Sequence, residues 1–338
     1  MKTMIIGNSG IQTSVVSTGS IEYGSQGSPV SEPKHVVEIL QTCLENGINY
    51  IDTAAVYGVG ASETLLGEAI KVIGRQNVVL QTKCGLNWRN TEGDFEYTRE
   101  GKDVYRNLSP QSLRQDLEDS LRRLQTEYID IYMTHRQQPS MPLEESIAEL
   151  VKMKQEGKIR AIGASNLTPQ EMEVYCQHGL DIIQQRYSLL DQDAKQTHFP
   201  LCEKYHVTFQ GWGMLEHGVL SGKVPQVELS ASRDKSAPVS IMQAWKAEEV
   251  VPYIAALLEK WTLYQEKYNC SFVNLVQACT LRQFDNMNLL IGQKSIKHIA
   301  DTAKSVDIEI AQADYQQMMM DIDEVRSHEL PNVIKPFR

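Results

Sequence analysis

Short runs of apolar and β-branched residues recur along nearly the whole chain, each separated from the next by a segment with helical spacing. Residues 4–6 and 11–16 flank Gly7-Asn8-Ser9-Gly10 and read as a hairpin leading into a first strand that ends near Gly19. A helix over Pro33–Glu45 precedes a strand at 48–51, and Ser62 is expected to cap a helix running to Ile73. A strand at Val78–Lys83, a helix from Ser109-Pro110 to Leu124 and a strand at Ile129–Thr134 come next. A helix at Leu143–Gln155 and a strand at Ile159–Gly163 follow, and Thr168-Pro169 opens a helix to about Gln177. Further strands fall near 182–186, 207–211 and 289–291, with helices over 199–205, 251–267, 271–283, 296–305 and 312–326.

Eight strands with helices between them, and no composition break, favour one (β/α)8 TIM barrel domain spanning residues 1–338, with an N-terminal β-hairpin. A doubly wound open sheet is the alternative. It normally carries a phosphate loop after an early strand, and Gly58-Val59-Gly60-Ala61 is too short for G-x-G-x-x-G. Two loops are unusually long: Cys84 to Leu108, with Trp88, Phe95, Tyr97 and Tyr105, and Lys223 to Glu249, with Arg233 and Trp245. Both follow strands, which in a barrel puts them on the active-site face.

Composition narrows the function classes. With 33 basic and 43 acidic side chains the net charge is −10, which argues against nucleic acid or an anionic membrane as partner. No apolar run approaches the roughly 20 residues of a membrane span. The first 20 residues are interrupted by Gly7, Gly10 and Gly19 and do not read as a signal peptide. Six cysteines without a CxxC pair fit a reducing cytoplasm. His198, Cys202 and His206 share a helical face, but their spacing is no known zinc pattern, and no metal is expected.

Four groups able to do chemistry stand just after successive strands: Asp52, Tyr57, Lys83 and His135. A phenol with a reference pKa of about 10 is a proton donor at neutral pH. A neighbouring ammonium is expected to lower that pKa, with Asp52 holding Lys83 charged and His135 either orienting a carbonyl or passing a proton. The set suits proton delivery to an oxygen that becomes an alkoxide as hydride reaches carbon. Taken singly, a strand-end Asp is an ordinary cap or ion-pair partner and a lone His an ordinary structural residue; it is the ordered spacing of four that argues for a shared site.

Gly47 to Ile70 around Asp52 and Tyr57, Leu80-Gln81-Thr82-Lys83-Cys84-Gly85, Met133-Thr134-His135-Arg136 and Gly157-Lys158-Ile159-Arg160-Ala161-Ile162-Gly163-Ala164-Ser165-Asn166 together resemble the aldo-keto reductase family. The likeness is strongest to the branch containing the potassium-channel β subunits and bacterial sugar-type reductases. It implies Asp52, Tyr57, Lys83 and His135 as catalytic residues and a nicotinamide dinucleotide bound without a Rossmann fold. By the same resemblance Ser165, Asn166 and Gln184 grip the carboxamide, and Gly19, Ser20 and Ile21 lie beside the nicotinamide ribose. Trp212, Gly213, Met214, Leu215, Gly218 and Lys223 match the stacking aromatic and pyrophosphate loop, although the family usually has Tyr followed by Ser-Pro there. Gly292, Lys294, His298, Asp301 and Thr302 match the adenosine end, where Lys294 would meet a 2′-phosphate, so NADP(H) is expected over NAD(H).

The expected activity is hydride transfer between the nicotinamide and an aldehyde, ketone or alcohol, with a pocket drawing on Ile21, Tyr23, Trp88, Arg136 and Trp212. Arg136 and the aromatics point towards a polyol or sugar-like substrate. Two other readings are a cofactor-bound regulatory subunit with incidental turnover and a non-redox barrel lyase or isomerase. Slow turnover with every carbonyl would mark the first, and lack of nicotinamide binding the second. Substrate identity, flux direction and oligomeric state are not legible in the sequence.

Overall fold

In the computed structural model, residues 1–228, 239–293, 295–328 and 333–334 are described. The chain opens with an antiparallel hairpin, β1 (Thr3–Ile6) and β2 (Ile11–Ser14). The expected run at 11–16 breaks after Ser14, and β3 (Val16–Gly19) starts the barrel. The sequence then alternates through α1 (Pro33–Glu45), β4 (Tyr50–Asp52), α2 (Ala61–Ile73) and β5 (Val79–Cys84). Within the first long loop lie β6 (Leu86–Asn87), β7 (Asp94–Arg99) and β8 (Lys102–Arg106). Next come α3 (Pro110–Leu124), β9 (Ile129–Thr134), α4 (Leu143–Gln155), β10 (Ile159–Ser165) and α5 (Pro169–Gln177). They lead to β11 (Ile182–Arg186), α6 (Asp193–Thr197), α7 (Phe199–Tyr205) and β12 (Thr208–Trp212). The last part holds β13 (Val239–Ser240), α8 (Ile241–Ala244), α9 (Val251–Tyr268), α10 (Phe272–Leu281) and β14 (Met287–Gly292). It ends with α11 (Ile296–Ser305), α12 (Gln312–Arg326) and β15 (Val333–Ile334), which pairs with β13.

Strands β3, β4, β5, β9, β10, β11, β12 and β14 close, all parallel, into the eight-stranded barrel expected of the alternation, so the chain adopts a (β/α)8 TIM-barrel fold. Its strands are buried on both faces, which is why they read as continuous apolar runs. One apolar layer, including Leu40, Leu66, Leu117, Leu150 and Met172, fills the space between strands and helices. A second holds α9, α10 and α12 together around Trp261, Leu275 and Ile322. Ile6 and Ile11 of the hairpin join Tyr50, Val79, Ile131 and Ile182 inside the barrel, so the hairpin plugs its N-terminal mouth. Close seating there requires Gly7, at φ +46°, because a Cβ would collide with the Asp181 backbone.

Helix ends follow the sequence signals with one exception. Thr168 forms a full capping box with Glu171, and Ser109 accepts from the Ser112 amide. Ser62 is not the cap of α2; left-handed Gly60 is, and Ser62 lies buried inside the first turn. Its hydroxyl meets Ser20 at 2.9 Å and Thr53 at 3.0 Å, tying the ends of β3 and β4 to α2. A buried hydroxyl gains more from those two partners than from a cap that glycine geometry already provides.

The candidate active site

Strand register brings the chemistry to one level at the C-terminal ends of the strands. Gly19 pairs with Asp52, Asp52 with Gln81, Ser165 with Gln184, and Arg186 with Trp212. Because side chains alternate across a strand, Gln81 and Lys83 both point to the barrel axis. Lys83 therefore reaches Asp52, with Nζ donating to Oδ1 at 2.7 Å, to Oδ2 at 2.8 Å and to the Thr53 carbonyl at 2.8 Å. Its side chain is fully buried, and its fourth neighbour is the Tyr57 hydroxyl at 3.3 Å. The His135 ring stands edge-on to Tyr57, centroids 5.7 Å apart. The four expected residues are thus brought together.

Beneath them the barrel carries a polar layer. Gln81 donates to Asp52 and, at 2.8 Å, to Gln210; Gln184 donates to Asp52 at 3.1 Å and to Gln210 at 2.7 Å. Gln210 in turn donates to Ser17 at 3.0 Å and Asn288 at 2.9 Å. Asp52 therefore receives hydrogen bonds from an ammonium and two amides, which compensates for taking a carboxylate out of water.

Burial reverses one expectation. It pushes the Tyr57 pKa up, and the opposing pull of the Lys83 ammonium does not bring it below the usual phenol value. The phenol is buried and faces a carboxylate as well as an ammonium, so the phenolate is disfavoured. Burial also disfavours charge on Lys83, but Asp52 and Tyr57 outweigh it and hold its pKa above normal. For His135, burial and then Lys83 push the pKa well down, so the ring is neutral at neutral pH. At that pH Lys83 is an ammonium, Tyr57 a phenol and His135 a neutral imidazole.

Above the cluster opens a cavity of about 630 Å³, lined among others by Gly19, Ile21, Asp52, Tyr57, His135 and Arg136. Ser165, Asn166, Gln184, Trp212, Gly213, Met214, Leu215 and Gly292 also line it, so most of the expected nicotinamide-end residues converge here. Left-handed Asn166, at φ +59°, donates to the His135 carbonyl at 3.1 Å and to Ser165 Oγ at 3.0 Å. That leaves Asn166 Oδ1 as an acceptor, while the amide hydrogens of Gln184 are committed to the polar layer.

The loop after β12 has positive φ at Gly213, Glu216, His217 and Gly218. Buried Glu216 anchors it through ion pairing with Arg186 and a hydrogen bond from Ser188. Arg186 sits 5.9 Å from the Trp212 ring, and its Nη1 is buried without a hydrogen-bond partner. An orphaned guanidinium N–H beside a glycine and an aromatic face suits a polyanionic, aromatic ligand such as a nicotinamide dinucleotide.

Other expected residues fall elsewhere. Tyr23 is fully buried, with its hydroxyl donating to the Gln293 carbonyl at 3.0 Å, and does not line the cavity. Trp88 packs against the Val56–Leu86 cluster with the Arg123 guanidinium 5.7 Å from its ring centroid, and it does not line the cavity. Ser20 is buried against Ser62, and Gly218 and Lys223 are exposed and off the cavity wall. Asp301 accepts from Ser271 at 3.1 Å and Thr302 from Gln293 at 3.3 Å, which links α11 to α10 and to the end of β14, and neither lines the cavity. His298 is exposed on α11, away from the cavity wall, and Lys294 lies outside the described residues. Arg136 does line the cavity, but it pairs with Glu96 at 3.1 Å, so its charge is already shared. Of the second long loop, Arg233 lies outside the described residues and Trp245 is buried in the α9–α10 core. His198 is spent on the Leu167 carbonyl at 3.0 Å.

The cavity also takes in Glu22, Val56, Leu86, Tyr97, Arg99 and Leu290, of which only Tyr97 stood out beforehand. Arg99 carried a signal: Phe95 to Arg106 alternates around Glu100-Gly101, a two-residue hairpin turn with φ of +50° and +75°.

Comparison with known proteins gives the class. The model of the aldo/keto reductase family matches residues 16–322, and the chain belongs to that family. It is accordingly a nicotinamide-dependent oxidoreductase acting on carbonyl or alcohol groups. Among individual proteins, it is 35% identical over 272 residues to the NADH-specific methylglyoxal reductase of Escherichia coli (strain K12), covering 79% of this chain and 81% of that one. Aldo-keto reductase YhdN of Bacillus subtilis (strain 168) is 30% identical, with 84% of this chain and 82% of that one covered. The glycerol dehydrogenase structure from Gluconobacter oxydans superposes with a TM-score of 0.79 at 26% identity, over 99% of this chain and 98% of that one.

Proposed function

We propose that Tyr57 is the acid of carbonyl reduction in this chain, that Lys83 and Asp52 set its charge environment, and that His135 orients the carbonyl. The observation carrying this is the Tyr57 hydroxyl 3.3 Å from an ammonium that Asp52 grips with both oxygens, at the floor of an open cavity. When bound, the reduced nicotinamide supplies the hydride. As the carbonyl oxygen gains charge, Tyr57 transfers its proton to it. The resulting phenolate lies beside Lys83, which stays charged because Asp52 stabilises the ammonium. Neutral His135 donates a hydrogen bond to the same oxygen, which an imidazolium would do only at a large burial cost. Ser165, Asn166 and Trp212 hold and shield the nicotinamide end, with Arg186 Nη1 available to the cofactor's charged part.

The finer cofactor choice rests on Lys294, whose ammonium suits a 2′-phosphate, and we expect NADP(H) over NAD(H). The Escherichia coli relative is described as NADH-specific, which makes the NADPH-to-NADH ratio of kcat/KM the deciding measurement. For the substrate we propose a small polar carbonyl, the cytoplasm as its compartment, and all six cysteines as free thiols there. No helix among the described residues is long and apolar enough to cross a membrane.

Tyr57→Phe tests the central role. It removes one hydroxyl, so turnover on a small aldehyde should fall by about two orders of magnitude or more while cofactor affinity stays near wild type. Turnover within a few-fold of wild type removes Tyr57 from the role of acid.

A further inference from the structure

The β7–β8 hairpin folds over the mouth of the cavity, and its strand alternation decides what the cavity sees. Phe95 and Thr98 are exposed, whereas Glu96, Tyr97 and Arg99 are half-buried, and a bulge between Phe95 and Tyr97 lets Glu96 share the inner face. The ionised groups on that face are unequally matched. Glu96 pairs with both Arg106 and Arg136. Asp52 is neutralised by Lys83 in the floor. Arg99 lines the cavity, and its guanidinium has no ion pair or side-chain hydrogen bond among the described residues. The charge of Arg99 nevertheless reaches the reaction centre, since it acts on Tyr57, Tyr97 and His135.

An uncompensated guanidinium in a partly desolvated wall is unfavourable unless something pairs with it. It is also unusual in a chain whose net charge is −10, because the overall field repels anions and only a local group can recruit one. The planar fork of Arg matches a carboxylate or phosphate with two parallel hydrogen bonds. We propose that Arg99 is a specificity-determining residue that selects carbonyl substrates carrying an anionic group, a carboxylate or a phosphate monoester, near the carbonyl. This rests on the reading of Tyr57 and its neighbours as the reduction site. The cavity holds the nicotinamide end as well as substrate, so the substrate is a short-chain oxo-acid or sugar phosphate. The sugar-like expectation attached to Arg136 therefore moves to Arg99 and gains a charge.

The test uses two matched pairs with the cofactor-loaded enzyme: 4-oxobutanoate against its methyl ester, and glyceraldehyde 3-phosphate against glyceraldehyde. The wild type should favour the anionic member of at least one pair in kcat/KM, and the pair that shows it separates carboxylate from phosphate. Arg99→Met should lower that anionic-to-neutral ratio by about 10- to 100-fold, the range for a charge-assisted hydrogen bond. Arg99→Lys should restore part of it and Arg99→Glu should take it lowest. Arg99 stands on a surface hairpin and its side chain has no ion pair or hydrogen bond among the described residues, so melting temperatures should match. A ratio unchanged in Arg99→Met, or a wild type that prefers the neutral member of both pairs, overturns the proposal. If the wild type reduces none of the four, the reduction reading fails, and calorimetric binding of succinate against succinamide still decides Arg99. Tighter succinate binding that Arg99→Met abolishes supports it; equal binding of the two overturns it.

Discussion

Replacing Lys83 by Met isolates the buried ion pair at the floor of the site. Methionine nearly fills the volume of the lysine stem, so packing changes little and the ammonium is what is lost. Asp52 is then left in the barrel floor at 1% exposure, keeping only the amide donors of Gln81 and Gln184. Breaking a buried pair by removing one partner costs about 3–5 kcal/mol, because the remaining charge is uncompensated. Adding Asp52→Asn removes that stranded charge, and the double variant should recover most of the loss, giving a coupling of about 2–4 kcal/mol. Urea unfolding of the wild type, both single variants and the double variant at neutral pH measures the cycle. Lys83→Met within about 1 kcal/mol of wild type, or a double variant as unstable as the two singles added, would refute the reasoning. Activity gives a second readout: the double variant should regain stability without regaining turnover, since no ammonium then faces Tyr57.

Other outcomes follow from the same geometry. Burial raises the Tyr57 pKa, so the phenol stays protonated and reduction should hold level from neutral pH to beyond pH 10, while alcohol oxidation, which needs phenolate, should climb with pH across that range. Stability should fall as pH rises above about 10, because Tyr50, Tyr132 and Tyr175, the last pushed up to about 12, are neutral in the fold and ionise more readily when unfolded. It should also fall as pH drops below about 6.5, where the unfolded chain protonates His135 and the fold, with its depressed pKa, does not; a stability flat on both sides contradicts these assignments. Trp212→Ala should weaken cofactor binding and Trp212→Tyr should keep hydride transfer with altered carbonyl preference; unchanged affinity in a folded Trp212→Ala protein removes the stacking role. Lys294→Met should weaken NADPH by about 1–3 kcal/mol and leave NADH nearly unaffected, and equal losses would show that Lys294 does not read the 2′-phosphate.

The order of elements, the closed barrel and the four central residues were legible in the sequence because they depend on short-range facts. Apolar runs of strand length mark buried parallel strands, Thr168-Pro169 marks a helix start, and a group placed just after a strand lies at the strand's carboxyl end wherever that strand sits. Asp52, Tyr57, Lys83 and His135 needed only that placement to meet. What the tertiary structure decided depends on which side chains find partners across distant segments. Tyr23 and Trp88 looked like pocket aromatics, but one is locked to Gln293 and the other turned towards Arg123. Arg136 and Arg99 are the same residue type on the same wall; Glu96, turned inward by a bulge, pairs with Arg136, while Arg99 has no ion pair among the described residues. The direction of the Tyr57 shift was equally out of reach, since a neighbouring lysine is visible in the chain while the depth of burial that outweighs it exists only once the barrel closes.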